Sequence, residues 1–214
     1  MVKSTSSTAK TAGYHHGNLR ITLIQSAIDI IHERGIQKLS IRDVAKRIGV
    51  SHTAPYRHFK NKKSLLTAIA IDGFNQLSNS IDHSNKPKSY GDEVEIYLYD
   101  FGRAYIRFAI ENVELYKIMF GDLIENKTND PALFQAYDAP FQTLIQYVKA
   151  LQKKRDIDHA EAEITVLAGW SMLHGYSLFL IDNRRNHEVG SPQQIELILN
   201  RFLNVCREHQ ANQD

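Results

Sequence analysis

The chain has 214 residues, 43% hydrophobic and 23% charged, which is ordinary for a globular protein with its own core. A single cysteine, Cys206, excludes an internal disulfide and any multi-cysteine metal site, and it fits a reducing compartment. Charge is strongly partitioned: residues 1–63 hold 12 Lys/Arg against 3 Asp/Glu, a net +9, while the remainder holds 14 against 21, a net −7. A basic head on an acidic body implies two modules, the first drawn to a polyanion.

Residues 1–13, rich in Ser, Thr and Lys, have little to bury and are expected to form a flexible tail. The opening MVKSTSSTAK lacks an apolar signal core, and no continuous apolar run reaches the ~18 residues of a membrane span, so a cytoplasmic location is expected. From Leu19 a helical pattern runs through Leu23, Ala27, Ile30 and Ile31 and stops at Gly35, a residue suited to a left-handed helix end. Ser40 is placed to cap a short helix with the stripe Ile41, Val44, Ala45 and Ile48, and Asp43 completes a weak capping box. Gly49 ends that helix. Ser51 opens a third segment that reaches Phe59. Asn61 is expected to cap a fourth helix carrying Leu65, Leu66, Ile69, Phe74 and Leu77. The stretch 83–90, HSNKPKSY, reads as a linker. Helical patterns then return at about 91–111, 113–120, 131–154, 159–182 and 192–208, separated by Gly and Pro. The expected fold is all-α. Its parts are a tail (1–13), a helix-turn-helix head (14–60), a connecting helix (61–82) and a helical regulatory and dimerisation body (91–210).

The informative stretch is Leu39–Phe59, LSIRDVAKRIGVSHTAPYRHF. Two amphipathic segments meet at Gly49–Val50–Ser51, the layout of a helix-turn-helix. Short polar groups, His52 and Thr53, follow the turn, flanked by Tyr56, Arg57, His58, Lys60, Lys62 and Lys63. A plain helical hairpin with a solvated basic face is the rival reading, and the density of cationic and hydroxyl groups after the turn favours DNA. Pro55 strains a regular recognition helix, because proline lacks an N–H and biases Ala54 away from α geometry.

LSIRDVAKRIGVSHTAPYRHFKNKKSLLTAI resembles the DNA-binding head of TetR-family transcriptional regulators over residues 17–70. YHHGNLR and GWSMLHGYSLF are similar to a subgroup named for a Trp–His–Gly motif, here Trp170, His174 and Gly175. The resemblance implies an all-helical homodimer on a palindromic operator, usually a repressor, released by a small molecule. It puts Arg42, Ser51, His52, Thr53, Tyr56, His58, Lys60 and Lys62 at the DNA. Arg57 is an ambiguous further candidate for the DNA. His52 and Thr53 can reach base edges, and Tyr56, Arg42, Lys60 and Lys62 suit phosphates.

The body is rich in aromatic residues. Most must be core, but Phe101, Tyr105, Tyr116, Phe141, Trp170 and His174 are also candidates to line a cavity for a small, largely apolar effector. For dimerisation, Ala168, Ser171 and Gly175 form a small-residue stripe, joined by Phe179. Ile195, Ile198, Leu199 and Phe202 give the last helix a wide apolar face, and four such helices would make a two-fold interface.

Other clusters carry less. His15–His16 lacks further metal ligands nearby. Ser171, His174 and Asp182 lie on one helix without the independent supports a triad needs. Asp158, His159, Glu161 and Glu163 read as an acidic first helical turn. No catalytic residue, metal or cofactor is expected. The expected partners are duplex DNA, a second copy of the chain and an effector, with no membrane. The rivals are an architectural DNA-binding protein without an inducer and, least favoured, a helical enzyme acting on a phosphorylated substrate.

Overall fold

The computed structural model describes residues 19–82, 93–124, 129–154, 162–183 and 190–207. The tail, the proposed linker 83–90, His15, His16, Asp158, His159 and Glu161 lie outside the described residues. The described secondary structure is helical throughout, and the chain divides into two compact units, Met1–Lys62 and Lys63–Asp214.

In the first unit α1 spans Leu19–Arg34 and buries Leu23, Ile24, Ala27, Ile28, Ile30 and Ile31. Gly35 follows at φ 77°, with its N–H donating to the Ile31 carbonyl at 2.8 Å. Its ψ of 159° is extended, so this helix end is not the left-handed cap expected from sequence, although the positive φ still favours glycine. A 3-10 turn, Ile36–Lys38, leads into α2, Ile41–Arg47. Ser40 caps α2 by accepting from the Asp43 N–H at 3.1 Å, while its own hydroxyl donates to the Asp43 carboxylate. Arg47 donates through both terminal nitrogens to Glu33 on α1, and these bonds hold the Glu33 carboxyl below the usual carboxylate range.

In the second unit the helices are α3 (Lys62–Asp82, its first residue belonging to the head), α4 (Glu93–Glu111), α5 (Val113–Phe120), α6 (Pro131–Lys154), α7 (Ala162–Asp182) and α8 (Pro192–Arg207). Asp130 starts α6 by accepting from the N–H groups of Ala132 and Leu133. α6 then continues through the buried Pro140, which has no N–H to offer the Ala136 carbonyl.

α7 is the centre of this unit and packs on α4, α6 and α8. It buries Ala162, Val166, Gly169, Leu173, Ser177, Leu180 and Ile181. Its other face is apolar as well: Ile164, Leu167, Leu178 and Phe179 stand 65%, 52%, 38% and 51% exposed. Among the described helices α7 alone is long and apolar enough to cross a bilayer by length and composition. The continuous-run reading missed this because Ser171, His174 and Ser177 interrupt it.

Two expected interface residues need correction. Leu199 and Phe202 are wholly buried inside their own chain and cannot meet a second copy. Glycines make their seats: a Cβ on Gly102 would lie 2.8 Å from Leu199 Cδ2, and one on Gly169 would lie 2.9 Å from the Phe202 ring. Ile195 and Ile198 are half-buried. Cys206 is buried beside Gly169, and burial pushes its thiol up to about 12, so it is an inert core group.

Candidate nucleic-acid interface and effector site

The corner after α2 is tight. Gly49 takes φ 72°, and the Val50 N–H donates back to the Ala45 carbonyl at 3.1 Å. The expected recognition helix is then a single 3-10 turn, Ala54–Arg57, set in a run of turns. Pro55 supplies the reason. An α-helix opening at Ser51 would make its first bond from the N–H of residue 55, which proline lacks. Ala54 donates to the Ser51 carbonyl instead, at 3.1 Å, and Tyr56 donates to Thr53 at 3.2 Å. Only the Phe59 N–H, donating to Pro55 at 2.9 Å, has α spacing. Pro55 and Phe59 face inward and are buried, so the Pro55 ring is not offered to a base.

The turn leaves a polar rim. Arg42, Ser51, His52, Thr53, Tyr56, Arg57, His58 and Lys60 are all exposed, Tyr56 by 48%. The Ser51 and Thr53 hydroxyls sit 3.2 Å apart. Arg20, which sequence analysis left unassigned, lies over the Phe59 ring at 5.6 Å. Lys62 is half-buried, and its Nζ donates to the Ile36 carbonyl at 3.1 Å.

In the body, the six candidate effector residues come together as a packed cluster. Trp170 is ringed by Tyr105, Phe141 and Phe101, at centroid distances of 4.9, 5.9 and 6.5 Å. The Tyr116 hydroxyl lies 2.6 Å and the Tyr105 hydroxyl 3.0 Å from Nδ1 of His174, and the two hydroxyls are 2.9 Å apart. Phe101, Tyr105 and Tyr116 have no exposed surface. Burial, as the largest cause, raises both phenols above their ordinary pKa, so both are neutral. The rings pack against one another and the polar groups bond among themselves. Two clefts among the described residues lie elsewhere. One, about 540 Å³, runs between α3 and α4 past Gln76, Ser80, Arg103 and Arg107. The other, about 580 Å³, lies beside Lys63, Thr67 and the start of α6. Ser171 is exposed while His174 turns to the two phenols, so the triad spacing on α7 is not assembled.

Residues 23–69 match the family model described as bacterial regulatory proteins, tetR family, and residues 98–202 match the tetracyclin repressor-like C-terminal domain. The chain belongs to the tetR family. This is a family of regulators rather than of enzymes. Over 49 residues the chain is 45% identical to the Tetracycline repressor protein class A from transposon 1721 of Escherichia coli, covering 23% of each chain. Over 89 residues it is 34% identical to the HTH-type transcriptional repressor Rv3405c of Mycobacterium tuberculosis, covering 42% of this chain and 45% of the other. Both alignments therefore span less than half of the relative's length. Among solved structures, a Rhodococcus protein of unknown function superposes with a TM-score of 0.73 at 26% identity, covering 91% of this chain and 96% of that one. A TetR protein from Acinetobacter baumannii in complex with minocycline shares the fold at a TM-score of 0.60 and 18% identity, covering 90% and 96%.

Sequence reasoning missed Ile164, Leu167, Leu178 and Leu197, which carry most of the exposed apolar surface of α7 and α8. The signal was available for α7: Ile164, Leu167, Ala168, Ser171, Gly175, Leu178 and Phe179 repeat at three- and four-residue steps.

Proposed function

We propose that the protein is a sequence-specific DNA-binding transcriptional regulator, a homodimeric repressor of a palindromic operator that works in the cytoplasm. The observation that carries this reading is the exposed rim Arg42, Ser51, His52, Thr53, Tyr56, Arg57, His58 and Lys60 on a head of net charge +9. His52 and Thr53 read base edges, and Arg42, Tyr56 and Lys60 hold phosphates. The partner copy docks on the exposed α7 stripe, where Ala168, Ser171 and Gly175 allow close approach and Ile164, Leu167 and Phe179 supply area. Two heads then meet half-sites one helical turn, about 34–36 Å, or a multiple of it apart. Trp170, His174 and Gly175 support placing the chain in the Trp–His–Gly subgroup.

The effector is small and largely apolar and acts at the cluster of Phe101, Tyr105, Tyr116, Phe141, Trp170 and His174. Because these rings touch, entry must part them, so ligand binding and helix displacement are one event. Linkage then requires DNA to weaken the ligand as much as the ligand weakens DNA, typically 5–150-fold. The packing of the cluster also favours one alternative, a DNA-binding protein with no inducer.

The test is selection of bound duplexes from a random library by the full chain. An enriched palindrome is expected. Uniform recovery of all sequences would overturn the reading in favour of an architectural protein.

A further inference from the structure

We infer that Arg20 is a further phosphate contact of the head, an assignment that rests on the DNA-binding reading above. Arg20 is exposed in the first turn of α1, and its guanidinium carbon lies over the Phe59 ring, 5.6 Å from the ring centre. Phe59 is 2% exposed and closes the recognition segment, where its N–H donates to the Pro55 carbonyl. Its chain neighbours His58 and Lys60 both stand on the exposed rim, and the His58 ring centre is 6.4 Å from that of Phe59. Arg20 is therefore fastened to the rear edge of the rim, although it comes from another helix.

The contact with Phe59 places the charge without using it up. A ring face attracts a guanidinium through its quadrupole and takes none of the five N–H donors. Those donors call for an anion. The head holds three carboxylates, Asp29, Glu33 and Asp43. Asp29 accepts from Gln25 Nε2 at 3.2 Å, Glu33 receives both terminal nitrogens of Arg47, and Asp43 receives the Ser40 hydroxyl that caps α2. Arg34 and Arg47 are both drawn to Glu33, whereas none of the three carboxylates pairs with Arg20. A planar fork held beside the segment that meets DNA, and left without an anion of its own, fits the paired oxygens of a phosphate. Phe59 stands at the opposite end of that segment from His52 and Thr53, so the contact adds affinity and register rather than sequence preference.

Salt separates this role from packing. Each phosphate contact contributes about 0.9 to the slope of log affinity against log salt, so losing one in each protomer of a dimer reduces the slope by nearly 2. Arg20→Gln removes the charge and keeps part of the stem. It is expected to weaken the selected operator and a random duplex by a similar factor, with both slopes reduced by that amount. The ranking of single-base operator variants should stay as in the parent. Arg20→Lys keeps the charge and should keep the parent's slopes.

Parental slopes in Arg20→Gln overturn the inference, and a lower Tm beside them would leave Arg20 as a cover for Phe59. A changed ranking of the operator variants overturns it as well, by making Arg20 a base reader. Should Arg20→Gln not fold, phenylglyoxal modification of the wild-type chain, read by mass spectrometry, still decides. Either duplex should protect Arg20, and modification as fast with DNA as without it overturns the contact. A parent without sequence preference would instead sink the reading as a specific regulator, and the random-duplex slope would still judge Arg20.

Discussion

The Tyr116 hydroxyl and Nδ1 of His174 share a hydrogen bond across 2.6 Å, joining α5 to α7, and Tyr105 on α4 lies within hydrogen-bond reach of both groups. Three helices thus meet at one buried polar knot. His174→Ala removes the ring nitrogen that both phenols share, a cost of about 1–3 kcal/mol before any cavity is counted. At about 2–4 °C of Tm per kcal/mol for a chain of this size, the melt shifts measurably. Tyr116→Phe should cost less, about 0.5–1.5 kcal/mol, because Nδ1 keeps Tyr105 within reach. An unchanged Tm for His174→Ala, measured by thermal denaturation, would show that the histidine lines an open pocket.

The same knot sets an alkaline limit. Tyr105 and Tyr116 are raised above the ordinary tyrosine pKa, chiefly by burial, with the neighbouring phenol as the second cause for Tyr105. In the unfolded chain both ionise near pH 10. Above that pH the native state holds more protons than the unfolded one, so stability falls as pH rises and is whole below it. Tm recorded from pH 8 to 11.5 should be flat to about 10 and then decline. Tyr105→Phe and Tyr116→Phe should each make the decline shallower. An identical slope in both variants would mean other groups carry the effect.

Much of this was legible in the sequence, for definite reasons. The bounds of α5 and α6 follow from Gly121, from Asp130–Pro131 and from apolar spacing, all local signals. Ser40 and Asp43 announced their cap in the same way. What failed was non-local. Leu199 and Phe202 carry an apolar pattern that fits an interface as well as a core. Only the bare surfaces of Gly102 and Gly169, on two other helices, decide for the core. Pro55 did warn of an irregular recognition segment, because a missing N–H is a property of the residue itself.

Relocating the dimer surface changes which substitutions should break it. Glu at Leu167 or Phe179, or Arg at Gly175, falls on exposed positions, and a Cβ at Gly175 meets nothing within 4 Å. Each should yield a monomer with the helical content of the parent and no operator binding. Phe202→Arg buries an unpaired charge in a site with no exposed surface, so it should unfold the body instead. Light scattering with circular dichroism separates the two. Leu167→Glu and Gly175→Arg remaining dimeric would take α7 out of the interface.

Thr53 and Tyr56 should fail in different ways. Both are exposed on the recognition segment, on either side of the buried Pro55. Thr53 has a methyl that suits a thymine methyl and a hydroxyl already oriented by Ser51 at 3.2 Å, so it is equipped to read a base edge. Tyr56 ends in a single hydroxyl on a rigid ring, which suits a phosphate, and phosphate carries no sequence information. Thr53→Ala should therefore flatten the preference at one base pair per half-site, costing about 1–3 kcal/mol there and little elsewhere. Ser51→Ala should give a weaker version of the same change, since it frees the Thr53 hydroxyl to turn. Tyr56→Phe should weaken every duplex by a similar factor. Affinities measured on a panel of single-base operator variants settle the assignment. Uniform loss for Thr53→Ala, together with altered preference for Tyr56→Phe, would reverse the two roles.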